Sequence, residues 1–227
     1  MPKSFAIRII KKYRPEETFY LPVQEVIPGS DEASNASYEL IKPSFMDGVD
    51  KYKAHYELKV MKFGRANGQT FNFYYEPHDF PFYHIHKHSL LYICAKKHVV
   101  HGFLSDTGFD KYWPPIQINY ADMASLLPPI TGAWFCELKQ QYVHSAGYFG
   151  NHVDKSEEFK KAASSGQISV LYINTSWPPG GPEIRVGITK EGAIIISKNL
   201  EFEEDEISLV THVYETFIAP TQASQIE

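Results

Sequence analysis

Apolar and polar residues alternate along much of this chain, the period of strands that keep one face in a core and the other in water. Phe5, Ile7 and Ile9 alternate with Ala6 and Arg8, which predicts a first strand over residues 4–10 ending at the basic cluster Lys11, Lys12 and Arg14. Across residues 52–63, Tyr52, Ala54, Tyr56, Leu58 and Val60 share a face, and the turn-forming run GRANG at 64–68 joins them to a second strand at 70–75. Pro77 and Pro81 are expected to separate this hairpin from the next strand, because proline cannot donate to a sheet ladder and restricts its predecessor. That next strand carries His84, His86 and His88 and leads into the apolar run Leu90 to Cys94, read as core, with residues 99–104 as its partner strand after a break at Lys96 and Lys97 or as the end of one bent strand. Further strands are predicted at 116–120, at 132–139 with Trp134, Cys136 and Leu138 on one face, at 168–173, and in a hairpin of 184–188 with 193–197.

Two helices are predicted, beside one helical turn at 122–127 closed off by Pro128 and Pro129. Asp154 and Glu157 resemble a capping box that opens a short helix near 155–163. Near 203–218, Ile207, Val210, Val213, Tyr214 and Phe217 recur at helical spacing behind the acidic run 203–206, which suits a helix N-terminus. The expected fold is therefore α+β, a predominantly antiparallel sheet with the C-terminal helix packed on it. Residues 1–227 read as one globular domain, with a flexible loop near 28–37 (the polar run SDEASNAS follows Pro28 and Gly29), irregular chain at 140–153, and a disordered tail after 220.

Composition changes this picture in two respects. Fifteen Tyr, 15 Phe and 3 Trp exceed what a core of this size needs, so some aromatics are expected at an interaction surface. The net charge of −5 assigns any polyanion to a local basic patch, for which Lys11, Lys12, Arg14, Lys96 and Lys97 are the candidates. Cys94 and Cys136 each sit in an apolar run, the pattern of buried thiols in a reducing compartment, and a cytoplasmic location is expected. No apolar run approaches the roughly 18 residues that cross a bilayer, and the amino terminus lacks a signal-peptide core.

Two constellations carry candidate chemistry. Two imidazoles at i and i+2 on a strand, with a third from a neighbouring strand, supply three corners of a zinc tetrahedron and leave one for water. His84 and His86 with His101 are the candidate ligands. At the strand rise His84 and His88 would stand about 13 Å apart, so at most two of that run serve one ion. The alternative is a histidine-rich, solvated sheet face.

The second constellation is Glu137-Leu-Lys139 with Asp122 upstream, which resembles the D…(D/E)xK core of PD-(D/E)xK nucleases. The resemblance implies two acids holding Mg²⁺ and a lysine steadying the attacking water or the phosphate. The same tripeptide occurs at Glu57-Leu-Lys59, with Asp47 and Asp50 upstream. There is no GxSxG elbow, phosphate-binding GxxxxGKS loop, GxGxxG or CxxC. The leading expectation is accordingly a non-catalytic accessory or binding domain in a cytoplasmic complex, recognising a protein or, through a basic patch, nucleic acid. The alternative is a metal-dependent hydrolase, with zinc through the histidines or magnesium through Asp122, Glu137 and Lys139.

Overall fold

Alternating sequence becomes antiparallel sheet in both halves of the chain. The computed structural model describes residues 2–21, 36–66, 68–123, 125–140 and 143–222, with the side chains of residues 66, 137–140 and 143 outside that description. Two compact units result, one of Ala6–Pro115 and one of Met1–Phe5 with Ile116–Glu227, and β1 (Lys3–Ile9) runs across the division.

In the Ala6–Pro115 unit, β2 (Thr18–Leu21), β3 (Ala36–Met46), β4 (Val49–Ala66), β5 (Gln69–Ile85) and β6 (Leu90–Cys94) lie side by side in chain order, each antiparallel to the next. Their inward face is largely aromatic. Tyr52 and Phe82, directly opposed across β4 and β5, stack at 4.7 Å, and Tyr38 from β3 meets Phe82 edge-on at 5.3 Å. Each such pair adds about 1 kcal/mol beyond the area it buries. The run Leu90 to Cys94 is core as its composition predicts, with Leu90, Leu91, Tyr92 and Ile93 buried.

Three expectations are corrected in this unit. Residues 99–104 belong to helix α1 (Lys97–Thr107), not to a strand. The β-branched pair Val99 and Val100 suggests a strand locally, but Val99, Val100, Phe103 and Leu104 are the buried positions, and that spacing is a helical stripe. Pro77 and Pro81 do not divide the chain, since both lie inside the single strand β5. β6 covers only Phe82–Ile85, so among the described residues β5 has β4 alone as its neighbour at both prolines. Four residues apart, the two nitrogens face the same side, and facing away from β4 they cost no ladder bond. Finally, the strand ends at Ile85, and His86–His88 form a 3-10 turn closed by Ser89 in the left-handed region at φ 50°.

The other unit holds β7 (Ile130–Gln140), β8 (Val143–Phe149), β9 (Ile168–Ser176), β10 (Glu183–Thr189) and β11 (Ala193–Ile196) in the order β11-β10-β9-β7-β8. The β10–β11 hairpin and β9 fall where the alternation predicts. β8 occupies chain expected to be irregular: Gly147 reads as a breaker, yet it lies where the rings of Trp134 and Phe149 close over the strand, and a Cβ there would sit 2.8 Å from Phe149. In β7, Phe135 is buried while Trp134 is exposed, reversing the expected face at a register shift between them. Residues 116–119 form no strand; Ile116 and Ile118 are buried, and the chain enters α2 (Tyr120–Met123).

Helix α3 (Glu157–Ser164) begins later than predicted, capped by Ser156, whose Oγ accepts from the Phe159 N–H at 3.1 Å, while Asp154 lies in a preceding 3-10 turn. The C-terminal helix appears as α4 (Glu203–Val213), a π-helical turn Tyr214–Ile218 and α5 (Ala219–Gln222), and it buries Ile207, Leu209, Val210, Val213 and Phe217. Residues 221–222, expected in the tail, are therefore helical. Residues 223–227 lie outside the described residues, as do 28–35 of the expected loop, whose Ala36 and Ser37 open β3. No helix among the described residues is long and apolar enough to cross a membrane.

Candidate metal centre

The site grows from two tight turns at one end of the Ala6–Pro115 sheet. Asp47-Gly48 closes the β3–β4 hairpin, with Met46 paired to Val49 and Gly48 at φ 67°. The 3-10 turn closes the β5–β6 hairpin, pairing Ile85 with Leu90. The two turns are joined by the His86 N–H, which donates to the Gly48 carbonyl at 2.9 Å. Register then places Asp50 opposite His84.

The side chains converge from this backbone. His84 and His86 have ring centroids 4.5 Å apart, and His86 Nε2 lies 2.7 Å from Asp50 Oδ2. One ligand atom from each of Asp50, His84 and His86 can be chosen so that all three lie within 4.8 Å of one another. Ligands about 2.05 Å from a tetrahedral ion stand about 3.3 Å apart, so the three atoms are spread more widely than a bound ion would hold them. The other Asp50 oxygen accepts from the Ser44 N–H at 2.9 Å. That contact exists because β3 slips register twice between Leu40 and Met46, with Ser44 at φ 47°.

Electrostatics prepare the donors. Burial pushes the His84 imidazole down to about 4, reinforced by the charges of His86 and Arg14 against the opposing pull of Asp50. His84 is therefore neutral near pH 7 and offers a lone pair. Burial works to raise the Asp50 carboxyl, but the Ser44 amide and His86 outweigh it and hold the group below the usual carboxylate range. His84 is buried, Asp50 partly covered, and His86 half-exposed, so the donors line a site open on its solvent side.

Of the expected zinc ligands, His84 and His86 are brought together, while His101 lies exposed on α1 and is not in this group. The donor that sequence reasoning missed is Asp50. The Asp-Gly pair just before it is a strong hairpin signal that sets Asp50 at the start of a strand, but its place beside the histidines comes from the β4–β5 pairing. Asp122 lies exposed on α2, and Glu137 and Lys139 are in β7 with side chains outside the described residues.

A second polar group lies on the solvent face of the same sheet. Asp79 accepts from Lys53 at 3.1 Å and pairs with His55 Nδ1 at 2.7 Å, across β4 and β5. These contacts satisfy each other and leave the three donors around Asp50 as the better candidate. No known protein-family model matches the chain, and no curated protein matches it.

Proposed function

We propose that this protein binds a divalent transition metal, zinc foremost, through Asp50, His84 and His86, and that the ion serves hydrolysis of an ester or phosphodiester. The observation that carries this reading is the convergence of two imidazoles and a carboxylate within 4.8 Å, one imidazole being buried and neutral. Two nitrogens and an oxygen suit zinc better than magnesium, which prefers an all-oxygen shell. Zinc held by three protein groups supplies a water acidified into the neutral range. His84 would anchor the ion from the core, Asp50 is oriented by the Ser44 amide, and His86 approaches from the solvent side.

The test is zinc titration by calorimetry on the chelator-treated chain, with hydrolysis of p-nitrophenyl esters and bis-p-nitrophenyl phosphate followed in parallel. Stoichiometric zinc that His84→Ala and Asp50→Ala each abolish supports the site. Zinc uptake indifferent to both substitutions overturns it, and zinc binding without turnover removes the hydrolytic half. The magnesium alternative through Asp122, Glu137 and Lys139 rests on its motif, and Lys139→Ala assayed for Mg²⁺-dependent phosphodiester cleavage tests it.

One observation favours a second reading, an accessory domain recognising a partner in a cytoplasmic complex. The outer part of the β4–β5 hairpin exposes Met61, Phe63, Phe71 and Tyr74. Exposed apolar side chains grouped on one element mark interaction surfaces. Comparing what the wild-type chain and a Met61→Ser/Phe63→Ser variant co-purify with tests this reading, and identical sets would count against it.

A further inference from the structure

Beyond β1 the chain passes the histidine turn and then crosses the sheet face that carries the metal donors. The Ile10 N–H donates to the carbonyl of Ser89, the residue that closes the turn, at 2.9 Å. The Lys11 N–H donates to the Tyr112 carbonyl at 2.9 Å, and the Tyr13 carbonyl accepts from Trp113 Nε1 at 2.7 Å. Pro15 is buried, and its carbonyl accepts from the Tyr52 hydroxyl at 3.5 Å. The strap of residues 10–15 is therefore held on both sides of Arg14.

The last of these contacts lies next to the candidate centre. Tyr52 shares its face of β4 with Asp50, and Phe82 shares its face of β5 with His84, so the opposed pair Tyr52–Phe82 adjoins the opposed pair Asp50–His84, about 6.8 Å along the strands. Burial keeps His84 neutral, and the charge of Arg14 adds to that effect, so the exposed guanidinium acts within reach of the donors. Its neighbours in sequence are turned to other uses. Lys12 Nζ lies 5.5 Å from the centroid of the Tyr13 ring. The acids Glu16 and Glu17 follow further from the donors: the Glu16 N–H donates to the Tyr38 hydroxyl at 3.3 Å, and the Glu17 carbonyl accepts from the Leu40 N–H at 2.6 Å. Tyr38 and Leu40 stand opposite Ala54 and Tyr52, not opposite Asp50.

We infer that the substrate of the metal centre is a phosphate ester and that Arg14 binds its non-bridging oxygens. The inference rests on the metal-centre reading and chooses between the two substrate classes that reading leaves. A carboxylic ester is uncharged, and a cation held beside the donors attracts it only weakly before reaction. A phosphate ester is charged throughout, and the planar guanidinium matches two of its oxygens at once. The same cation repels a metal ion bound next to it, and an anionic substrate relieves that repulsion. Hydrolysis bonds a water oxygen to phosphorus, releases the alcohol oxygen with the bonding pair and passes one water proton to it. The negative charge stays on the product phosphate, so Arg14 holds the group from substrate to product.

The experiment is calorimetric titration of phenylphosphonate, an uncleavable analogue of a phosphate ester, into the full chain with and without one equivalent of zinc. Wild type, Arg14→Ala, Arg14→Lys and Lys12→Ala are compared, and each variant is also assayed on bis-p-nitrophenyl phosphate and p-nitrophenyl acetate. Arg14→Ala should weaken phosphonate binding roughly ten- to hundredfold, and Arg14→Lys by less, since it keeps the charge and loses the fork. Lys12→Ala should change it by no more than about twofold. The ratio of kcat/KM for the phosphodiester to that for the acetate should fall about tenfold or more in Arg14→Ala. Zinc affinity should hold or rise in that variant, because a repelling charge is gone. Phosphonate binding indifferent to Arg14→Ala, equal losses from Lys12→Ala and Arg14→Ala, an unchanged substrate ratio, or loss of zinc with Arg14→Ala overturns the assignment. The metal-centre reading fails separately, when the wild-type chain takes up no zinc; phosphonate binding to the zinc-free chain that Arg14→Ala removes would still support the anion site, and its absence there would end both.

Discussion

Asp50 and His84 face each other directly across β4 and β5, and the turn that follows folds His86 back so that its Nε2 meets the same carboxylate at 2.7 Å. Neither residue's neighbours in sequence disclose this. It depends on the register of an 18-residue strand against a 17-residue one.

Zinc should stabilise the chain through this pairing. At a hundredfold excess over its dissociation constant, the ion adds about 2.7 kcal/mol to the free energy of unfolding. Differential scanning fluorimetry should show a rise in Tm that His84→Ala and Asp50→Ala both remove, and removal of either ligand should cost more than the roughly 10–100-fold in affinity that follows loss of an outer-sphere partner.

High pH should unfold the protein through its buried phenols. Tyr120 is raised above its usual range chiefly by burial, its hydroxyl donating to the carbonyls of Ser169 and Ile188. Tyr56 is raised by burial and then by its hydrogen bond to Asp106. A phenol whose folded pKa exceeds its unfolded value of about 10 contributes its full stability below pH 10 and loses it as pH climbs toward the folded value. Absorbance at 295 nm should therefore show a group of tyrosines that ionise only as the fold is lost. Tyr120→Phe should lower stability at pH 7 by about 1 kcal/mol while reducing the alkaline loss.

A buried carboxylate fastens α4 to β1. Glu206, 2% exposed, receives both hydrogen bonds of Lys3 Nζ, at 2.8 and 2.6 Å. Lys3 is 40% exposed, so solvent moderates the pair, and Lys3→Ala should cost about 1–2 kcal/mol in urea unfolding. Much of that loss should return in Lys3→Met/Glu206→Leu, because the penalty lies in stranding one charge more than in losing the pair.

The start of α3 separates two capping schemes. Ser156→Ala should cost about 1 kcal/mol of stability, while Asp154→Ala should leave the cap intact because the Phe159 amide bonds Ser156. An equal or larger loss from Asp154→Ala would restore the earlier helix start that the sequence suggests.

Strands that keep one face in the core were legible in the sequence, and the C-terminal helix was legible from its five apolar positions. Elements were missed where local chemistry and tertiary use conflict. Val99 and Val100 look like a strand until Phe103 and Leu104 are counted with them, and Pro77 and Pro81 look like breaks unless one edge of their strand is known to be free. Two of the three donors of the candidate site were visible as His84 and His86. Asp50 was not, because the carboxylate belongs to a strand 34 positions earlier and reaches the histidines only through pairing.

The two prolines of β5 also bear on how the edge of this sheet can be extended. A strand edge without a neighbour is a template onto which further copies could add strand by strand, the first step toward a fibre. Pro77 and Pro81 withhold two donors from the side of β5 that faces away from β4, where no other strand pairs among the described residues, so growth by edge pairing is hindered there. The same residues that look like interruptions in the sequence thus guard one side of β5 against a further strand.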